Sequence, residues 1–517
     1  GEQSKLYWRN KTREIFANGL DACYFSGNTA LAFLFMEKSR AVLLNDKLIE
    51  LGALAQLPMQ EALIQRQQEV DLTSLQQTAS SISADSPSYA GQQLRLLRDR
   101  EKFERYVRSL ENKYPVYYQY KYADSVPSLR ALQSYLAENR TTFLHFFTTD
   151  TVNYILCIEA SAARLVRLPE KVVDRVRHFL GQCADEQRQN TGYTAFAAES
   201  HHLYELLFQP LSVRPGRVIV CSDEFLLPFE SLYRDKEGKQ PLLYDYAFSY
   251  VYSARTLLKT AAIRPAKGNF IGFAPVSFVT GLHLADLKLS ADSLRSAAAA
   301  YQQTDLYTNA SATRNNFLQK ISGYAVANVF SHAQADSNGN EPVLFMQDSI
   351  IHLSELQLLP FPATQLVVLS ACQTGAGRNA SGEGIYSLAR GFSSAGIPAV
   401  AATLWEADES AIYAVSARFH YYLSRGEPKD LALQKAKLDY IHTSDRSAML
   451  PWYWANLIII GNTAPVRLSV APSGWWGSAR WAGWWGSGRR AGWWWVVAVV
   501  LVTGMGIGGY FHWKQRR

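Results

Sequence analysis

The chain has 517 residues, 48% hydrophobic, 13% aromatic and 19% charged, which excludes a disordered or collagen-like protein and leaves room for about two to four domains. The net charge is +7, but residues 471–517 hold six basic side chains and no acidic one, so the body is nearly neutral, which argues against a nucleic-acid-binding body. Five cysteines stand far apart without a CxxC pair, which argues against a disulfide framework or a zinc ribbon and for a reducing compartment.

Residues 5–120 read as helix almost throughout. Ala30–Arg40 runs into Val42, Leu43, Leu44, Leu48 and Ile49 as a broad apolar stripe at helical spacing. A Gln-rich helix over 56–77 follows, then a small-polar break at 80–88 containing Pro87, then a highly charged amphipathic stretch over 92–113. From residue 128 the texture changes. Apolar runs of strand length are expected at 142–148, 154–158, 217–221, 270–274, 325–330, 366–370, 399–404 and 457–460. Several are continuous rather than alternating, as in strands covered on both faces. Helical patterns lie between them at 171–180, 194–209, 290–301, 314–321, 384–395, 410–423 and 428–440. Strands alternating with helices predict an α/β domain with a mostly parallel sheet.

The C-terminal tail is of low complexity. Gly474-Trp475-Trp476-Gly477-Ser478 recurs at nine-residue spacing as Gly483–Ser487, and Gly492-Trp493-Trp494-Trp495 repeats its start. Residues 493–511 then run without a charge, followed by a basic end at 512–517. Nineteen uncharged residues just span a hydrocarbon core, and Trp and basic side chains at both ends suit its interfaces. A membrane helix over 493–511 is therefore expected, behind a Trp/Gly/Arg-rich linker over 466–492. Three basic residues precede the span and three follow it, so charge does not orient it.

Chemistry in an α/β sheet gathers at the carboxyl ends of parallel strands. Two such ends carry reactive side chains: Val326–Phe330 leads through Ser331 into His332, and Leu366–Ser370 leads through Ala371 into Cys372. Were these strands neighbours, His332 and Cys372 would face each other as an imidazolium–thiolate pair, a nucleophile active near neutral pH. Taken singly, a Cys or a His after a strand is more often an ordinary core residue than a catalyst.

The segment Leu366–Gly375, reading LVVLSACQTG, resembles the signature of the CHAT domain, a caspase-related domain often joined to TPR repeats. Gly382–Phe392, Ala395–Val400, Leu404–Asp408 and Pro451–Gly461 resemble the family's later motifs. Pro228–Leu232 and Tyr252–Ala254 resemble its leading half, and Ala30–Leu44 is similar to the last TPR-like helix these proteins carry. The resemblance implies a caspase-like fold shared with separase and gingipain-like cysteine peptidases. It implies His332 as general base and acid, Cys372 as nucleophile, and an oxyanion held by the backbone N–H groups of Cys372 and Ala333. The family usually has Gly where Ala333 stands; if that position requires φ > 0, Ala costs about 1 kcal/mol or more. Trp405–Glu409 is similar to a separase stretch whose acid binds the arginine at the cleaved position. Asp408 or Glu409 would then favour Arg or Lys, the alternative being that both cap the helix that follows.

The expected organisation is an α-helical, TPR-like segment over 1–125 and a caspase-like domain over 128–465, its sheet mostly parallel with helices on both faces. That domain comprises a leading half over 128–265 and a catalytic half over 266–465, followed by the linker, the membrane helix and the basic tail. The expected function is a membrane-tethered cysteine endopeptidase with a His/Cys dyad, needing no metal or cofactor. It would act on a protein substrate, answer to a protein regulator through the helical segment, and keep its body in the cytoplasm. The alternative is a catalytically silent CHAT adaptor.

Overall fold

Segments of five to eight residues, most of them apolar runs, assemble into one eleven-stranded sheet. The computed structural model describes residues 2–40, 53–54, 57–80, 82–83, 85–115, 117–118, 126–223, 225–258, 264–334, 342–357, 363–370, 388–405, 408–445 and 449–469. Its strands are β1 (Thr141–Thr148), β2 (Asn153–Ile158), β3 (Ala163–Leu168), β4 (Gly216–Cys221), β5 (Tyr246–Val251), β6 (Gly268–Ala274) and β7 (Thr304–Thr308), then β8 (Tyr324–Phe330), β9 (Ala333–Gln334), β10 (Val343–Phe345), β11 (Ile350–His352), β12 (Leu366–Ser370), β13 (Ala399–Thr403) and β14 (Leu457–Gly461). The large sheet runs β3-β2-β1-β4-β5-β14-β13-β12-β8-β6-β7, and β9, β10 and β11 form a small antiparallel sheet beside it.

Pairing is parallel except in the β1–β2–β3 meander at one edge and between β13 and β14. The mostly parallel sheet expected from the continuous apolar runs is therefore present, and all eight of those runs are strands. Among the strands that were not foreseen, β3 is only partly buried and carries Arg164 and Arg167, β7 lies at the outer edge with Asp305, and β9, β10 and β11 are two or three residues long, whereas β5, YAFSYV, is fully buried in the middle of the sheet and was missed although most of it is apolar.

Helices cover both faces because successive side chains of the central strands, which point to opposite faces, are apolar. On β1, Leu144 and Phe146 join the core that holds Val176 and Phe179 of the helix Val172–Cys183. Phe143 and Phe147, one step out of phase, join Phe33 and Met36 of the helix Thr29–Lys38. On β6, Phe270 stacks on Tyr301 and meets His420 edge-on, while Phe273 faces Phe317. Gly272 of β6 lets the helix Ser290–Ala298 approach closely, since a Cβ there would stand 2.2 Å from Leu294 Cδ1.

The N-terminal helices Glu2–Ser26 and Thr29–Lys38 thus seal one face of the leading strands. The stripe expected to continue through Leu44 ends as a helix at Lys38, where Ser39 caps it, and residues 41–50 lie outside the described residues. The helices Met59–Ser80 and Tyr89–Lys113 pack on each other around Leu54, Leu110 and Tyr117. The linker and membrane-helix expectations, 470–517, fall outside the described residues; among the described residues no helix is long and apolar enough to cross a membrane.

Candidate active site

The pairing of β8 with β12 supplies the frame of the site. They are adjacent and parallel, in the register Leu366–Val326 through Ser370–Phe330. Both are fully buried, so their carboxyl ends emerge side by side at one edge. His332 stands two residues past Phe330, and Cys372 stands two residues past Ser370 in the chain. Cys372, and with it the separation of the two side chains, lies outside the described residues.

His332 is held from three directions. Its carbonyl accepts a hydrogen bond of 3.0 Å from the Phe345 N–H of β10, and the buried Ser331 hydroxyl donates to the Phe345 carbonyl. The ring of Phe278 lies against the imidazole with centroids 5.1 Å apart. Nε2 is 2.9 Å from the carbonyl oxygen of Ala285. A carbonyl only accepts, so Nε2 carries the hydrogen and the lone pair of the neutral ring is left on Nδ1. Ala285 and Phe278 are the site residues that sequence reading missed, and no sequence signal marks the first because any residue offers a carbonyl.

Ala333 opens β9 opposite Leu344. Its backbone is not among those with positive φ, so Ala is accommodated there without strain. The His332 carbonyl accepts from the Phe345 N–H, and bonded and non-bonded pairs alternate along an antiparallel ladder. The Ala333 N–H therefore points away from β10 and is directed out of the small sheet.

Asp408 and Glu409 begin the helix Glu409–Leu423. The Asp408 carboxylate accepts from the Ala411 N–H at 2.9 Å and from the Ser410 hydroxyl, and so caps the helix. Glu409 accepts from the Tyr413 hydroxyl at 3.0 Å. Both acids are half-buried and serve the helix start.

The other four cysteines, Cys23, Cys157, Cys183 and Cys221, are buried free thiols. Burial pushes them above the ordinary thiol range, Cys157 to about 11. A thiol held protonated is a poor nucleophile.

Further motifs have structural explanations. Glu230, in the segment Pro228–Leu232, forms a buried ion pair of 2.6 Å with Lys437 and accepts from the Tyr250 hydroxyl at 3.2 Å. Trp405 Nε1 donates to the Trp452 carbonyl at 3.1 Å and Leu404 N to Asn456 O at 2.9 Å, joining two motifs about fifty residues apart across β13 and β14.

A mostly parallel α/β sheet, with a His held at the end of one central strand and a Cys-bearing segment leaving its neighbour, defines the class. The model of the CHAT domain matches residues 197–462, half of the chain, and the chain belongs to the CHAT domain family. Among solved structures it is similar to the complex of Porphyromonas gingivalis RgpB pro- and mature domains, with 10% identity over 58% of this chain and 79% of that one and a TM-score of 0.33. It is similar to the Arg-specific cysteine proteinase gingipain R, with 9% identity over 57% of this chain and 78% of that one and a TM-score of 0.33. It is also similar to the Saccharomyces cerevisiae separase–securin complex, with 10% identity over 88% of this chain and 40% of that one and a TM-score of 0.42. No curated protein matches the chain.

Proposed function

We propose that the chain is a cysteine endopeptidase in which His332 and Cys372 form the dyad. The observation that carries the reading is the parallel register of β8 and β12, in which His332 and Cys372 follow paired residues by the same two steps. In the reaction Nδ1 of His332 takes the Cys372 thiol proton, and the thiolate attacks the scissile carbonyl. The backbone N–H groups of Ala333 and Cys372 stabilise the tetrahedral oxyanion. The imidazolium then gives its proton to the leaving amine, and water, deprotonated by the same ring, hydrolyses the thioester. The Ala285 carbonyl keeps the ring in the tautomer this needs and stabilises the imidazolium.

The acids Asp408 and Glu409 are proposed to favour Arg or Lys at the cleaved position while also serving their helix. Residues 493–511 are proposed to tether the enzyme to a membrane, with the body in the cytoplasm. The helical segment is proposed to receive a protein regulator. It is tied to the sheet by Arg13 and Arg40, which reach Asp223 at 2.7 and 3.0 Å.

The test needs no substrate. Cys372 should be the first of the five cysteines to react with iodoacetamide near pH 7, read by peptide mass mapping, and His332→Ala should slow that reaction by removing the base. Equal labelling of all five, or indifference to His332→Ala, would replace the peptidase with the silent adaptor.

A further inference from the structure

Far from the candidate active site, in the leading half of the sheet, three metal-ligating side chains from three elements meet in the core. His145 of β1 and Cys221 of β4 are direct partners across the parallel ladder, so their side chains stand on the same face. Glu37, one residue before the end of the helix Thr29–Lys38, closes over them. All three are buried, His145 completely. One ligand atom from each lies within 4.8 Å of the others, and His145 Nε2 is 3.7 Å from Glu37 Oε1.

Two observations set this cluster apart from an ordinary polar core. Neither ring nitrogen of His145 has a hydrogen-bond partner, although the ring is fully buried. An unpartnered buried polar group is destabilising, and its persistence calls for a ligand. The Glu37 carboxylate, by contrast, is held in place: it accepts from the Ala254 N–H at 2.8 Å and the Arg255 N–H at 3.0 Å, which leaves further lone pairs. Hydrogen bonds of that kind orient the ligands of a metal site.

We infer that Glu37, His145 and Cys221 bind a divalent cation of the zinc type, which fastens the N-terminal helical hairpin to the sheet. The donor set of one carboxylate, one imidazole and one thiolate selects zinc over magnesium or calcium. With metal–ligand bonds of about 2.0–2.3 Å, tetrahedral ligands stand about 3.3–3.8 Å apart. The Glu37–His145 gap of 3.7 Å already fits, and Cys221, within 4.8 Å of both, needs a shift of about 1.5 Å at most. On binding, the Cys221 thiol loses its proton to solvent and gives up its contact of 3.6 Å with the Tyr252 carbonyl. The nearby Arg40 guanidinium is paired with Asp223, so its charge does not oppose the ion unscreened. No sequence motif announces the site, because its ligands lie at positions 37, 145 and 221.

The test is metal analysis of the full chain in a Cys372→Ala background, which removes the other His/Cys pair. After expression with zinc and passage over a weak chelator, elemental analysis should find about one zinc per chain. Cobalt added during expression should give a thiolate-to-cobalt charge-transfer band. Cys221→Ser and His145→Gln should each weaken zinc retention by about 10-fold or more and lose or shift the band. Cys23→Ser, in the same apolar cluster but outside the triad, should change neither. Zinc-free chain without a cobalt band overturns the inference, as does zinc retained at full level in Cys221→Ser. Should either ligand variant fail to fold by circular dichroism, the cobalt band of the unsubstituted site decides alone.

Discussion

Ala333 stands where Gly is usual in the family, yet its backbone does not demand one. Ala333→Gly is therefore expected to leave the iodoacetamide reactivity of Cys372 within about 2-fold, while lowering stability by about 0.5–1 kcal/mol through added chain entropy. At Asp408 the cap and the proposed recognition of a basic side chain can be tested separately. Asp408→Ala should cost about 1 kcal/mol in a denaturant melt because the cap is lost. Asp408→Asn keeps the cap and removes the charge, so stability should hold while any preference for Arg-containing peptides falls; an unchanged preference would remove Asp408 from the specificity pocket. His420 sets a pH dependence. Its ring is buried beside Phe270 and Tyr301, which lowers it to about 3. In the unfolded chain it titrates near 6.5, so between those values the unfolded state binds more protons. This contribution to stability is intact above about pH 6.5 and is lost as the pH falls toward about 3. His420→Gln, which still offers the Tyr301 hydroxyl an acceptor, should flatten that part of the stability–pH curve.

The helix Lys429–Thr443 is tied to the leading half of the sheet through charge. Lys437 and Glu230 are both buried and paired, so removing one partner strands the other. Lys437→Met should destabilise by about 3–5 kcal/mol, and adding Glu230→Leu should recover much of that loss, as read by chemical denaturation. The N-terminal hairpin is equally committed to the sheet. Phe33 and Met36 lie against Phe143, Phe147 and Ile219. Deleting residues 1–40 would uncover that face, and the truncated chain should aggregate or bind a hydrophobic dye. A soluble, dye-silent truncation would show that the hairpin is a detachable appendage.

At the scale of the molecule, β14 inserts between β5 and β13 and joins the two halves of the domain into one continuous sheet. The proposed regulator of the helical segment would therefore act on a sheet hydrogen-bonded without a break from β1 to β8 and β12. The tail makes an independent claim. With residues 474–517 present the chain should sediment with membranes and require detergent, and without them it should stay in the supernatant with unchanged circular dichroism. Full-length chain that stays in the supernatant without detergent would refute the tether.

The strands were legible because a buried parallel strand has to be apolar on both faces, and such runs as Leu366–Ser370 and Tyr324–Phe330 have few other readings. The edge strands were not, since solvent on one side relaxes that demand, as in Ala163–Leu168 with its two arginines, and the buried central strand Tyr246–Val251 escaped because Ser249 and its two tyrosines interrupt the aliphatic run. His332 and Cys372 stood out because each directly follows an apolar run, and motifs local in the chain survive in one dimension. Asp408 read equally well as a cap or as a specificity acid; the geometry shows the cap because hydrogen bonds have directions that residue names lack. Tertiary structure alone decided that β8 and β12 are neighbours in register, that Ala285 offers its carbonyl to His332, and that Glu37, His145 and Cys221 converge. Each of these depends on how strands are ordered across the sheet and which helix covers which face. Those choices minimise the exposed apolar surface of the whole chain, so no local window of sequence contains them.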